Sequence, residues 1–277
     1  MRYAFTDDLW IQFEPFVRRA KRYKAGRKPR LSDRMFFEAL LYWTRTGLPW
    51  RDLPDAFGAW DAVYKRFRRW VASGSLRALF ELLTDEPNFG DVRRILVDST
   101  VVRAHAHAAG ARRRHKKIGA EKSAKLQGLG RSRGGFTTKI VLTAADENTA
   151  VAVEVVPGQA HDAPRLKPML EATCRRVPAF DELVGDKGFD GDAQRRACID
   201  RGVFANIPSR KNRIDPWEHE PAGYRERNRV ERLIGKAKQF RRVSTRYEKL
   251  KCTYLGVVQL TLGFIRFRHR STNENVN

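Results

Sequence analysis

The spacing of apolar residues changes near residue 90, and no other feature limits the folds open to this chain as strongly. Before that point apolar side chains recur at helical spacing. Beyond it they come in short β-branched runs separated by turn residues. Ser32 precedes DRMFFEALLYWTRTG, where Phe36, Leu40, Leu41 and Trp43 or Thr44 share a helical stripe and Gly47 stops the run. LPWRDLPDAFG reads as a short turn-rich helix carrying Leu53 and Phe57. WDAVYKRFRRWVASG sets Trp60, Val63, Tyr64, Phe67, Trp70 and Val71 on one stripe, leaves Arg66, Arg68 and Arg69 off it, and stops at Gly74. Helix, short helix and basic helix is the layout of a helix-turn-helix, and equally of a small helical bundle. Residues 1–90 are therefore expected to form a small all-α domain. Trp50, Trp60 and Trp70 belong to its core, and AGRKPRLS is a basic arm.

The second part reads differently. RRILVDST (93–100), TTKIVLTAAD (137–146) and AVAVEVVPG (150–158) are strands, the last two joined by a turn at DENT. Residues 161–176 predict a helix with Asp162 as cap and Pro164 in the first turn. DELVGDKGFD is a strand with a glycine-containing turn, DAQRRACIDRG a helix, VFANIP a strand, and 222–242 and 253–268 are long helices. Three antiparallel strands followed by alternating β and α specify an α/β domain with a mixed sheet over residues 91–277. The Gly-rich basic segment 109–136 is expected to be a mobile loop within it.

Lys and Arg number 55 against 32 Asp and Glu, a net charge of +23, which points to a polyanionic partner, nucleic acid first. The charge is clustered: ten Lys or Arg lie between Arg112 and Lys139 against one acid, Glu121. No run of about 18 apolar residues and no basic amphipathic helix argues for a membrane. The three cysteines are odd in number and far apart, and the first residues lack a secretory layout. A cytoplasmic protein with reduced thiols is expected. No Walker or dinucleotide fingerprint calls for a nucleotide cofactor, and no His/Cys pair has zinc spacing.

In so basic a chain, acids at strand ends stand out. Asp98 ends Ile95-Leu96-Val97 and Asp186 ends Leu183-Val184-Gly185, the position where open α/β sheets bind ligands. At 100° per residue, Tyr224, Arg227, Glu231 and Lys238 fall within about 60° of one another, roughly a quarter-turn from the apolar stripe Val230, Leu233, Ile234 and Ala237. Three carboxylates among cations suit two divalent metals and a phosphate, with Mg²⁺ favoured by hard oxygen ligands. Asp146, Asp162, Asp181 and Asp190 sit in expected turns or caps. Lys187 reads as a solvated lysine or as a neutraliser of phosphate, His105 as loop surface or a DNA contact near the site, and His161 as a helix-start residue or one facing the site.

The strand with DST, the later GDKGFD and the spacing Y-x2-R-x3-E-x6-K, filled by Tyr224, Arg227, Glu231 and Lys238, resemble the DDE insertion-sequence transposases, most closely the insertion-sequence-five family. GLPWRDLPDAFGAWDAVYKRFRRW resembles their amino-terminal DNA-binding part, and the resemblance runs from Trp10 to Phe267. It implies a ribonuclease-H-like catalytic domain with a mixed five-stranded sheet and flanking helices, and Asp98, Asp186 and Glu231 as catalytic, metal-binding residues for Mg²⁺ or substituting Mn²⁺. It implies DNA contacts from Tyr224, Arg227 and Lys238. To these the charge pattern adds Arg66, Arg68, Arg69, Arg112, Arg113, Arg114, Lys116, Lys117 and Lys187. The implied activity is terminal-repeat binding, end cleavage and joining of 3′-hydroxyls to double-stranded target DNA by a dimer or larger assembly. Two rivals explain less. A helix-turn-helix regulator leaves the acids unexplained, and a stand-alone nuclease leaves the amino-terminal helices unexplained.

Overall fold

The computed structural model describes residues 4–22, 31–85, 89–109, 126–132 and 135–274. Residues 25–30 of the basic arm AGRKPRLS and Arg112, Arg113, Arg114, Lys116 and Lys117 lie outside the described residues.

Four helices come first: α1 (Asp7–Ala20), α2 (Asp33–Thr46), α3 (Trp60–Ala72) and α4 (Ser75–Leu83). Their starts follow capping chemistry. The Thr6 hydroxyl accepts from the Leu9 amide and the Ser32 hydroxyl from the Met35 amide, which satisfies donors that a helix start leaves orphaned. The expected short helix at 48–58 is instead two 3₁₀ turns, Trp50–Asp52 and Asp55–Phe57, each entered through a proline. Trp70 is fully buried. Trp50 is half-buried and stacks on buried Trp43 at 3.9 Å. Trp60 is not a core residue: it lies at the surface, with the Arg51 guanidinium 5.8 Å over its ring.

The sheet combines β1 (Arg94–Ala104), β2 (Gly130–Ser132), β3 (Gly135–Ala144), β4 (Ala150–Pro157), β5 (Glu182–Val184), β6 (Phe204–Asn206) and β7 (Thr245–Arg246). Its five main strands lie in the order β4-β3-β1-β5-β6. β1, β3 and β4 are antiparallel, and β5 and β6 run parallel to β1. This is the ribonuclease-H-like arrangement. The chain is α/β, with the helical region ahead of the mixed sheet. The β3–β4 turn closes on Asp146, whose carboxylate accepts from the Asn148 and Thr149 amides and the Thr149 hydroxyl.

Between and after the strands come α5 (Ala163–Cys174), α6 (Asp192–Ile199), α7 (Pro221–Arg225), α8 (Asn228–Lys238), α9 (Arg241–Ser244) and α10 (Lys251–Glu274). The single long helix expected over 222–242 is thus broken into α7, α8 and α9, with breaks at Glu226–Arg227 and Gln239–Phe240. Within the segment expected to be a loop, β2 pairs with the start of β3 through Gly130↔Thr137, Arg131↔Phe136 and Ser132↔Gly135. Buried Arg246 holds the residues before β2 by donating to the carbonyls of Gln127 and Gly128.

Two apolar layers cover the two faces of the sheet. One joins Ile95, Val97, Val141 and Leu183 to α5 and α6. The other joins Leu96, Val102, Ile140, Leu142 and Val184 to α8, α10 and the amino-terminal helices without a gap. Aromatic contacts run through it, among them Phe13–Phe37 at 5.3 Å and Phe13–Phe267 at 5.0 Å. Burying side chains of this size contributes about 1.5–3 kcal/mol each. Among the described residues no helix is long and apolar enough to cross a membrane.

Candidate active site

Strand register explains where the first two acids stand. The β1–β5 ladder ends at Leu96↔Val184, and Asp98 and Asp186 each lie two residues beyond that pair. With a side-chain period of two, both carboxylates belong to the face of Leu96 and Val184, on neighbouring strands about 4.8 Å apart. Asp98 does not end its strand: β1 continues to Ala104, paired to β3 throughout. The exposed end is that of the β5 pairing, and it opens the site.

The Asp186 carboxylate accepts from the Gly188 amide at 2.8 Å, which caps the 3₁₀ turn Lys187–Phe189. A Cβ on Gly188 would stand 2.8 Å from Asp186 Oδ1 and 3.2 Å from Asp162 Oδ2, so this close approach requires glycine. Asp162 therefore lies beside Asp186. Contrary to expectation it caps nothing with its side chain; it receives the buried Lys139 ammonium at 2.8 Å. His161 is exposed.

Glu231 comes from α8, which packs Val230, Leu233, Ile234 and Ala237 into the layer that holds Leu96. The Arg227 guanidinium, at the start of α8, stands 3.4 Å from Asp98 and pairs tightly with Glu231. It also lies 5.8 Å from the Tyr224 ring. Tyr224 is positioned by α7, whose buried Gly223 passes so close to β5 that a Cβ there would meet Glu182 Oε1 at 2.5 Å. Asp98 is nearly buried, and its carboxyl is pushed up to about 6. Burial is the main cause and the Asp186 and Glu231 charges add to it, against the Ser99 amide and Arg227, which pull the other way. For Arg227 burial disfavours the charge, but the charges of Asp98, Glu231 and Asp186, with Tyr224, outweigh it and hold the guanidinium above its ordinary value.

The three acids thus feel one another, but Arg227 lies between two of them. Among the described residues no three His, Cys, Asp or Glu side chains are gathered closely enough to hold a metal ion. The donor chemistry nonetheless fits a hard divalent cation, since all three groups offer only oxygen and together carry excess negative charge around one guanidinium.

The remaining expected contacts divide. Lys187 is exposed beside Asp186, and Lys238 is half-buried next to Thr100, Ile140 and Leu142. Arg69 is exposed, while Arg68 is half-buried and donates to the Tyr64 hydroxyl at 3.0 Å. Arg66 is not a surface residue: its guanidinium is buried against Asp33 and donates to the Leu31 carbonyl at 2.8 Å. It is a structural cation. Exposed His105 stacks on Tyr247 with centroids 4.9 Å apart.

Sequence reasoning missed Asp190. Rather than a turn residue, it is a buried carboxylate that accepts from Arg195 at 2.9 Å, the Arg210 amide at 3.0 Å and Arg213 at 3.3 Å. The Arg210 guanidinium donates in turn to the Lys187 and Gly188 carbonyls, fastening the chain after β6 onto the Asp186 turn. The cue was the DKGFD repeat of acids, legible only with Arg195 and Arg213 placed in space.

A family model for transposases of the IS4/5 family (DUF4096) matches residues 5–80, and the transposase DDE domain model matches residues 90–255. The uncharacterized protein y4sN of Sinorhizobium fredii is 43% identical over 110 residues, covering 40% of this chain and 84% of that protein. An uncharacterized 16.2 kDa protein of insertion element IS402 from Burkholderia cepacia is 37% identical over 108 residues, covering 35% of this chain and 71% of that protein. Among solved structures, the piggyBac transposase synaptic complex with hairpin DNA is 11% identical with a TM-score of 0.49, covering 98% of this chain and 74% of that one. The Mos1 transposase paired-end complex with the left transposon end is 14% identical with a TM-score of 0.27, covering 67% and 61%.

Proposed function

The chain belongs to the DDE transposase family, and from that premise we propose that it binds the terminal inverted repeats of an insertion sequence, cleaves at the element ends and joins the freed 3′-hydroxyls to target DNA. The observation that carries this reading is the convergence of the Asp98, Asp186 and Glu231 charges at the open end of the β1–β5 ladder, with Arg227 between Asp98 and Glu231.

Asp98, Asp186 and Glu231 would hold the divalent metal that the family implies, Mg²⁺ by preference and Mn²⁺ as a substitute. A metal pair bound there would supply activation of the attacking water or 3′-hydroxyl and stabilisation of the leaving oxygen. The chain's own residues supply the rest. Arg227 is held charged and close to the acids, so it is placed to turn from Glu231 toward a phosphate. Lys238, two turns along α8, and exposed Lys187 offer further positive charge to the strand. Tyr224 lies over Arg227 and braces the strand end. Attack is direct and in line, with positioned cations carrying the charge stabilisation and no covalent link to the enzyme.

The amino-terminal helices, with Arg68 and Arg69 on α3, recognise the repeats, and DNA-bound copies pair to bring two ends together. The test uses DNA flanking the gene as donor, with Mg²⁺, Mn²⁺ or EDTA. Metal-dependent nicking followed by joining to a second duplex is expected. Tight binding without nicking would instead describe a regulator, and nicking without joining a nuclease.

A further inference from the structure

The connection between β4 and α5, residues 158–162, folds back along the start of β3 and ends against the turn that carries Asp186. Its first amide, of Gly158, donates to the Thr137 carbonyl at 3.3 Å, and the Ala160 amide donates back to the Pro157 carbonyl at 2.9 Å. Buried Lys139 reaches it from β3 with two bonds, to the Ala160 carbonyl at 2.7 Å and to Asp162 Oδ1 at 2.8 Å. The first bond fixes the backbone of the connection and the second fixes the carboxylate, so Asp162 Oδ2 is left with one direction. The Asp162 carbonyl then opens α5 by accepting from the Arg165 amide at 2.8 Å. The turn after Asp186 is anchored on the same helix, since Phe189 is fully buried in the layer that holds Leu166 and Leu170. Both partners of this contact are therefore held by elements other than the acids themselves.

We propose that Asp162, locked by Lys139, is a positioning residue for the second acid of the site: it keeps the Asp186 carboxylate turned toward Asp98 and Glu231, and so sets how tightly the divalent ion is held. The assignment rests on the DNA-processing reading above. Asp162 acts through Asp186 and is not itself a ligand. The Gly188 amide occupies Asp186 Oδ1, which leaves Oδ2 for a ligand. Asp162 Oδ2 stands behind the occupied oxygen. A Cβ on Gly188 would lie 2.8 Å from the one and 3.2 Å from the other, so the two oxygens are within about 6 Å, the range over which like charges act on one another. A fixed carboxylate on that side opposes any swing of Asp186 toward α5. Arg227 draws Asp186 the opposite way, because the Asp186 charge is among those that support its own. Loss of such an outer partner costs about 10–100-fold in metal affinity or activity.

The test is a Mn²⁺ titration of the full chain, read from the electron paramagnetic resonance signal of the free ion, with thermal melting and donor-end cleavage measured at each concentration. Asp162→Asn alone leaves buried Lys139 without its counter-charge. The double change Lys139→Met with Asp162→Asn is therefore measured beside it, since removing both partners leaves no orphaned charge. Both proteins are expected to bind Mn²⁺ about tenfold more weakly and to need about tenfold more of it for half-maximal cleavage. The double variant should melt within a few degrees of wild type and reach the wild-type rate at saturating Mn²⁺. A role confined to stability gives the opposite split: unchanged Mn²⁺ binding, a lower melting temperature and a lower rate at every concentration. That result would overturn the proposal and leave the DNA-processing reading standing. If wild type neither binds Mn²⁺ nor cleaves, both are wrong.

Discussion

Replacing Asp190 by Ala strips the buried anion from a three-way clamp. The Asp190 and Arg195 side chains are each only 2% exposed, and their ion pair is 2.9 Å long. Arg195 would keep its bonds to the Ala205 and Ile207 carbonyls but lose its counter-charge. Removing one partner of a buried pair costs about 3–5 kcal/mol, because the other charge stays buried and uncompensated. Arg213 retains Asp192 at 2.7 Å, so it adds little to the loss. In a chain of this size, a melting temperature lower by roughly 10 °C is expected. Hydrogen exchange of the Arg210 amide, which donates to Asp190, should accelerate more than that of amides in β3.

The pH dependence of this contribution has a definite sign. Burial raises the Asp190 carboxyl, but the Arg210 amide and the Arg195 and Arg213 guanidiniums more than offset it, so the group titrates below its ordinary range. A carboxyl depressed in the folded state stabilises fully above its unfolded value near 4, and the effect fades as pH falls through the folded value. The gap in melting temperature between wild type and Asp190→Asn should therefore be flat from pH 5 to 8 and narrow below about pH 4. A gap under 1 °C at pH 7, or one that widens in acid, would refute the clamp.

Other expectations follow from single sites. Arg66→Ala should cost about 3 kcal/mol by thermal melting, the low end for a buried pair, because Asp33 keeps Lys21 at 2.6 Å. Arg69→Ala, on the exposed side of α3, should instead weaken DNA binding and lower the salt slope by about one. Gly223→Ala should destabilise by about 1–3 kcal/mol, since the new methyl meets Glu182 Oε1 at 2.5 Å and Asn206 Nδ2 at 2.9 Å; a neutral result by denaturant titration would mean that α7 moves freely. Arg227→Ala should lower end cleavage at least a hundredfold, and because it leaves nearly buried Asp98 without its neighbouring cation it should also cost about 1–3 kcal/mol by thermal melting.

Much of the fold was legible because local and global preferences agree. The β-branched runs became β1, β3 and β4, the Ser32 cap starts α2, and the apolar stripe of α8 is the buried one. What sequence hid is non-local. β2 has no apolar alternation and exists through backbone pairing to β3. Arg66 reads as a surface charge until Asp33 and the Leu31 carbonyl come under it. The break at Glu226–Arg227 carries neither proline nor glycine; it places Arg227 at the start of α8, within reach of both Asp98 and Glu231. Of the candidate site, the acids and the Tyr, Arg, Glu and Lys spacing were readable. Asp162 with Lys139, and Asp190 with its three arginines, were not, because each pairing joins separate elements.

The most direct measurement is strand transfer by Asp98→Asn, Asp186→Asn and Glu231→Gln, isosteric changes that remove charge and keep shape, using a pre-cut donor end and Mn²⁺. Expected are three proteins that melt within a few degrees of wild type, bind the donor end as it does, and join it at least a thousandfold more slowly. A variant that folds, binds and joins at the wild-type rate would contradict the assignment of that acid. Wild-type rates in all three would place the chemistry elsewhere in the chain.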